Sequence, residues 1–141
     1  MTTVAQEIPR VAPPVPDQDS AFFWQGLREH KLLLQQCAAC NRFRFPPMPS
    51  CPWCAADNSS VRESKGLGTV YSWIVVHRAF DPAFAADVPY ILASLDLDEG
   101  GRTVSRLVGA ARAEFGMRVS ALFHDHADWT ELRFQPQEKG I

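Results

Sequence analysis

The hydrophobic and polar positions give the chain two textures. As far as residue 66, apolar runs are short and are broken by prolines and paired cysteines. Asp19 and Ser20 read as helix N-caps, because their side-chain oxygens can accept from the free amides of a first turn. Ala21–Arg28 then predicts one or two helical turns, with Phe23 and Leu27 four positions apart on one face. Lys31 to Gln36 predicts a strand, and Phe43-Arg44-Phe45 alternates. Pro46-Pro47-Met48-Pro49 forces an irregular link, and Val61 to Lys65 predicts a returning strand. Gly66-Leu67-Gly68 marks a hinge.

Beyond the hinge the pattern is that of strands. Thr69 to His77 is β-branched and aromatic, and Pro89 to Leu97 alternates with Ile91, Ala93, Leu95 and Leu97 on one face. Glu99-Gly100-Gly101 signals a turn into a third strand, Arg102 to Val108. Gly109 to Phe115 reads as a short helical turn. Met117 to Phe123 and Thr130 to Phe134 complete five strands, and the break between the third and fourth fits a small Greek-key barrel of the OB type. The fold class is mainly β. Its predicted parts are an extended proline-rich arm (1–19), a helix with a cysteine-bearing unit (20–66) and a barrel (67–141). The arm follows from Pro9, Pro13, Pro14 and Pro16, which favour polyproline-like backbone.

Composition narrows the function. With 46% hydrophobic and 21% charged residues, the 141-residue chain has the balance of an ordinary globular protein. No apolar run is long enough to predict a membrane span. Met1 to Pro16 lacks the apolar stretch of a secretory leader, which predicts a reducing, cytoplasmic location. The net charge of −2 conceals an asymmetry. Residues 1–66 carry seven basic and six acidic groups, whereas residues 67–141 carry seven basic and ten acidic ones. An acidic barrel argues against a nucleic-acid partner, whose phosphates favour a basic surface.

The four cysteines fall in two pairs, Cys37-x-x-Cys40 and Cys51-x-x-Cys54, with ten residues between them. In a reducing compartment such pairs read first as a metal site. Each pair can form a knuckle aiming two sulfurs at one ion, and two knuckles supply the tetrahedral thiolate set that zinc takes. Four protein ligands leave no open position, so the expected role is structural, with metal binding contributing to folding. Iron of the rubredoxin kind uses the same ligands, and a redox dithiol is a third reading. Zinc with four thiolates is doubly negative, which brings the chain nearer to −4. Knuckles favour positive φ just after the second cysteine, where glycine fits best. Asn41 and Ala55 stand there, so the second knuckle is expected to be the less regular one.

Other candidates are weaker. His124-Asp125-His126 would put two imidazoles on one side of a strand, as in a metal pair, but a solvated strand end explains it more simply. His77 stands at the end of a strand without a nucleophile signature beside it. Phosphate-loop, zincin, serine-elbow and dinucleotide motifs do not occur. The long segment between His77 and Pro89 is more suggestive. Arg78, Phe80, Phe84 and Tyr90 would lie at the barrel mouth, and aromatics around an arginine suit a part-apolar, part-phosphate ligand or a protein interface. Phe22, Phe23 and Trp24 put more rings on one short helix than it can bury alone, so they are candidates for docking on a partner or on the chain's own core.

In order along the chain, the aromatic helix Phe22-Phe23-Trp24-Gln25-Gly26-Leu27, the first cysteine pair, Phe45-Pro46-Pro47, Cys51-Pro52-x-Cys54, Gly66-x-Gly68-Thr69-Val70-Tyr71-Ser72-Trp73, Val76-His77-Arg78 and Pro89-Tyr90 form a recognisable series. The series resembles the zinc-ribbon/OB-fold family of acyl-CoA-associated proteins, long known as a domain of unknown function, from about Ser20 to Phe134. The resemblance implies a rubredoxin-like zinc ribbon with structural zinc on Cys37, Cys40, Cys51 and Cys54. It also implies a non-catalytic accessory subunit of a thiolase-like aldolase, such as those of steroid side-chain degradation, or of a MaoC-like enoyl-CoA hydratase. Acyl-CoA would be a ligand shared with that partner, held near Arg78 and the loop after it. A single-stranded nucleic-acid-binding protein is the main alternative, because ribbons and OB folds commonly serve that role. A stand-alone thioesterase and an electron carrier are further ones.

Overall fold

A computed structural model describes residues 10–137. Residues 1–9, the first half of the predicted arm, and the last four residues assigned to the barrel lie outside that range. From Arg10 to Asp17 the chain has no regular secondary structure.

Helix α1 spans Ala21–Arg28. Its start differs from the expectation, because the Ser20 hydroxyl does not cap the first turn. It donates instead to the Asp17 carboxylate at 2.7 Å, while the Ser20 amide donates to the same oxygen at 2.8 Å. The helix ends where His30 turns to φ 59° and the Lys31 amide donates to the Gly26 carbonyl at 2.8 Å, which satisfies a terminal carbonyl.

Three antiparallel strands make the small sheet: β1 (Leu33–Cys37), β2 (Phe43–Arg44) and β3 (Ser59–Glu63), in the order β2-β1-β3. Five more close into a barrel: β4 (Leu67–Val76), β5 (Tyr90–Leu97), β6 (Arg102–Leu107), β7 (Arg118–Asp125) and β8 (Thr130–Pro136). The barrel order is β4-β5-β6-β8-β7, with β6 and β8 parallel and the other pairs antiparallel. This is the mainly β arrangement that the alternation predicts. Two local details stand out, the first of them a change from expectation. Gly109 to Phe115 forms bends and a turn rather than a helix, and the loop after β4 contains a single 3-10 turn, Pro82–Phe84.

Inward positions of β5 (Ile91, Ala93, Leu95, Leu97) pack with Val70, Leu107, Val119 and Phe134. The core continues into the N-terminal part through Phe23, Leu27, Leu32 and Leu34. Arg28 fastens the helix to the barrel: its guanidinium donates to the carbonyls of His126, Ala127 and Trp129 at 3.1, 3.2 and 3.3 Å, where β7 turns into β8. On the opposite side, Gly101 (φ 91°) meets the ribbon so closely that an added Cβ would lie 2.8 Å from the Phe45 Cβ. Only glycine suits both that backbone and that gap.

Candidate functional site

Two features carry chemistry. The first is the cysteine cluster. The β1 strand ends on Cys37 and delivers it buried, and the Pro-rich link returns the chain so that Cys51 is buried beside it. Cys37 and Cys54 sulfurs are 3.6 Å apart, as are those of Cys40 and Cys51, and all four lie within 4.8 Å of one another. None is in a disulfide. A tetrahedron with metal–sulfur bonds of about 2.3 Å has edges of about 3.8 Å, so the donor set fits structural zinc. The Cys40 amide donates to Cys37 Sγ at 3.5 Å and helps hold that thiol down at about 6, where it is readily available as a thiolate.

The second knuckle is as regular as the first. Asn41 and Ala55 both adopt φ 64°, and their amides donate to the carbonyls of Cys37 and Cys51 at 3.0 and 2.9 Å. The expected irregularity does not arise. Closing the turn outweighs the local strain of a left-handed alanine, about 1–2 kcal/mol.

The second feature is a groove of about 590 Å³ between α1, the Phe45–Pro47 link and the barrel. Phe23, Trp24 and Leu27 form one wall, and Tyr90, Leu92 and Leu132 lie along another. Val11 of the N-terminal arm also lines it. One charge stands out in this apolar space. The Arg106 side chain is only 11% exposed, pairs with Asp87 at 3.1 Å, and lies 4.1 Å from the Tyr90 ring centre and 5.8 Å from that of Phe84. Glu131 lines the same groove, and burial opposes its ionisation. The guanidinium of Arg133 and the hydrogen bond to His126 outweigh burial and keep it below the usual carboxylate range.

The residues predicted at the barrel mouth therefore separate. Phe84 and Tyr90 reach the groove. Arg78 stacks 5.5 Å from the Phe80 ring, both are exposed, and neither lines it. The arginine inside the groove is Arg106, which sequence reasoning passed over as an ordinary strand residue. No local signal marked it: β6 buries Thr103 and Ser105 while exposing Val104, an inversion that only the folded chain reveals. The aromatic helix separates too. Phe23 is buried in the chain's own core, while Phe22 and Trp24 pack half-buried against that core. Trp24 meets Trp129 edge-on at 6.2 Å. The His124-Asp125-His126 segment is the exposed end of β7 as far as Asp125, with the two imidazole rings 4.9 Å apart. His126 stacks on Trp129 at 4.3 Å and bonds Glu131, while Asp125 bonds His30. Among the described residues, the four cysteines are the one group of three or more His, Cys, Asp or Glu side chains arranged to hold a metal. An apolar strip that the alternation did not single out lies on β4, where Tyr71, Trp73, Ile74 and Val75 are all exposed.

Two family models match the chain in tandem: the rubredoxin-like zinc ribbon domain of ChsH2 over residues 24–59 and the C-terminal OB-fold domain of ChsH2 over residues 61–124. A DUF35 domain-containing scaffold protein of Methanocaldococcus jannaschii is 32% identical over 105 residues, which is 71% of this chain and 73% of that protein. The chain belongs to the DUF35 family. Two longer bacterial proteins match this DUF35 chain more strongly. One is the "Probable enoyl-CoA hydratase alpha subunit" of Thermomonospora curvata, 38% identical over 92% of the chain. The other is the 3-oxo-4,17-pregnadiene-20-carboxyl-CoA hydratase alpha subunit of Mycobacterium tuberculosis, 35% identical over 89%. The chain spans about 40% of the length of each. Among solved structures, a chain of the "Ltp2-ChsH2(DUF35) aldolase" superposes with a TM-score of 0.80 at 38% identity, covering 88% of this chain and 98% of that one. No helix among the described residues is long and apolar enough to cross a membrane.

Proposed function

We propose that this DUF35 chain is a non-catalytic accessory subunit. In this reading it binds a thiolase-like aldolase or an enoyl-CoA hydratase and helps position an acyl-CoA. The observation that carries the reading is the match to the DUF35 chain of the aldolase over 98% of that chain's length. The groove supports it. Its apolar walls suit an acyl portion of the lipid or steroid side-chain class, and Arg106 suits an anionic or carbonyl group at one end. The contribution to catalysis is positioning: a preordered wall reduces the entropy lost when the partner's reacting groups are brought into line.

Zinc on Cys37, Cys40, Cys51 and Cys54 is structural in this scheme. It ties the two cysteine knuckles of the ribbon unit (20–66) together, so that the Phe45–Pro47 link between them is set in place to complete the groove beside the barrel unit (67–141). Four free thiols accord with a reducing cytoplasm. Phe84, Tyr90 and Arg106 are assigned to the ligand. Arg78 and Phe80, which lie outside the groove, are assigned to the partner together with Phe22, Trp24 and the β4 strip. The ten acidic groups of residues 67–141 disfavour a single-stranded nucleic acid in the same place.

Co-expression with a thiolase-like or hydratase-like protein encoded beside it, followed by pull-down and an acyl-CoA assay, tests the reading. The expected result is a stable complex whose activity falls when Arg106→Leu is introduced. A chain that captures no such neighbour, or that turns over acyl-CoA alone, overturns it.

A further inference from the structure

Arg44 is among the largest fully buried side chains, at 1% exposure. Its Nη2 donates to the Met48 carbonyl at 3.3 Å, but Nε and Nη1 have no partner. A guanidinium cannot shed its proton to escape burial, so an uncompensated one is strongly disfavoured. Some negative charge must stand near it.

Its position limits the choice. On β2, Arg44 lies opposite Gln35 of β1. Side chains two apart on a strand share a face, so Gln35 and Cys37 point the same way and Arg44 is the diagonal neighbour of Cys37. The carbonyl it reaches belongs to Met48, three residues before Cys51. It also lines a cavity of about 450 Å³ with Pro52 and Trp53 of the second knuckle. The carboxylate lining that cavity, Asp96, is already engaged by Arg102 at 2.7 and 3.2 Å. The other source of negative charge beside this strand is the cysteine cluster, which becomes doubly negative when four thiolates hold a divalent ion.

We propose that Arg44 is the internal counter-charge of the four-thiolate centre. It acts through space rather than by a hydrogen bond to sulfur, and it raises the affinity of the thiolates for a divalent ion. It is a positioning and charge-balancing residue, not a ligand.

The test uses the full-length zinc-loaded chain with Arg44→Gln, which keeps a donor for Met48 without the charge, and Arg44→Lys, which keeps the charge. Zinc transfer to a competing chelator at neutral pH should become easier by about tenfold or more in Arg44→Gln, with Arg44→Lys close to the parent. In cobalt-substituted protein, the thiolate-to-cobalt charge-transfer band should move to longer wavelength in Arg44→Gln only, because thiolate electrons lose a stabilising positive charge. Equal zinc retention in all three proteins overturns the proposal, and so does an unmoved cobalt band. If both variants lose zinc alike, Arg44 acts by packing and the proposal fails. Should Arg44→Gln not fold with zinc present, Arg44→Met is put through the same two measurements.

Discussion

In the ribbon, β3 exposes every side chain from Ser59 to Glu63, whereas β5 of the barrel buries every second residue from Ile91 to Leu97. Between the helix and the barrel, the buried apolar residues of the ribbon amount to Leu32, Leu34, Cys37 and Cys51, and two of those four are candidate metal ligands. The barrel's strands pair around a closed ring and fill it with aliphatic side chains. One half would draw its order from a bonded centre, the other from area removed from water. The groove lies between them, so it depends on the weaker half for a wall and on the stronger half for a floor.

The largest effect should come from the bonded centre. Chelation, or Cys51→Ser, should melt the ribbon while the barrel persists. Structural zinc sites supply on the order of 10 kcal/mol in small zinc domains. Near-ultraviolet and far-ultraviolet circular dichroism would then report two separate transitions in place of one. A single transition at which both halves unfold would show that the shared core through Phe23, Leu27, Leu32 and Leu34 couples them more tightly than the contrast implies. The mirror-image change is Leu95→Ala in the barrel, fully buried in the parent. It should cost about 2–5 kcal/mol in denaturant titrations and leave zinc content unchanged.

A smaller and opposite change is available at Ala55. Glycine there should stabilise the zinc-loaded ribbon by about 1 kcal/mol by removing the left-handed strain, with slower zinc release as the readout. The smallest effect is electrostatic and confined to the barrel. The Arg118 guanidinium donates to Asp98 at 2.6 Å and holds that carboxyl below its ordinary value. A depressed folded value means that the pair stabilises above about pH 4 and that this stability fades as pH falls through the folded value. Asp98→Asn should therefore flatten the acid limb of the melting temperature against pH without altering zinc release.

Much of the fold was legible because its signals are local. Alternation along β5 names its own buried face, the turn at Glu99–Gly101 separates β5 from β6, and the residues of α1 are bounded as predicted. The cysteine cluster was legible for a related reason: a knuckle is a four-residue object, and two of them suffice to suggest a centre. The groove was less legible because its walls come from segments far apart in sequence. Nothing local distinguishes Arg106, which lines it, from Arg78, which does not. Phe22, Phe23 and Trp24 look equivalent in sequence, yet the pitch of one short helix buries Phe23 and leaves its neighbours half-covered.

What the sequence determined by itself was therefore the set of elements, their two textures and the four sulfur donors, all of which rest on spacing within a few residues. Tertiary structure decided which arginine enters the groove, which ring of the helix is consumed by the core, and that Arg44 is enclosed with two of its three nitrogens unpaired. Burial and the distance between charges are properties of chain segments brought together, and a charge reveals its need for a partner only once water has been excluded from around it.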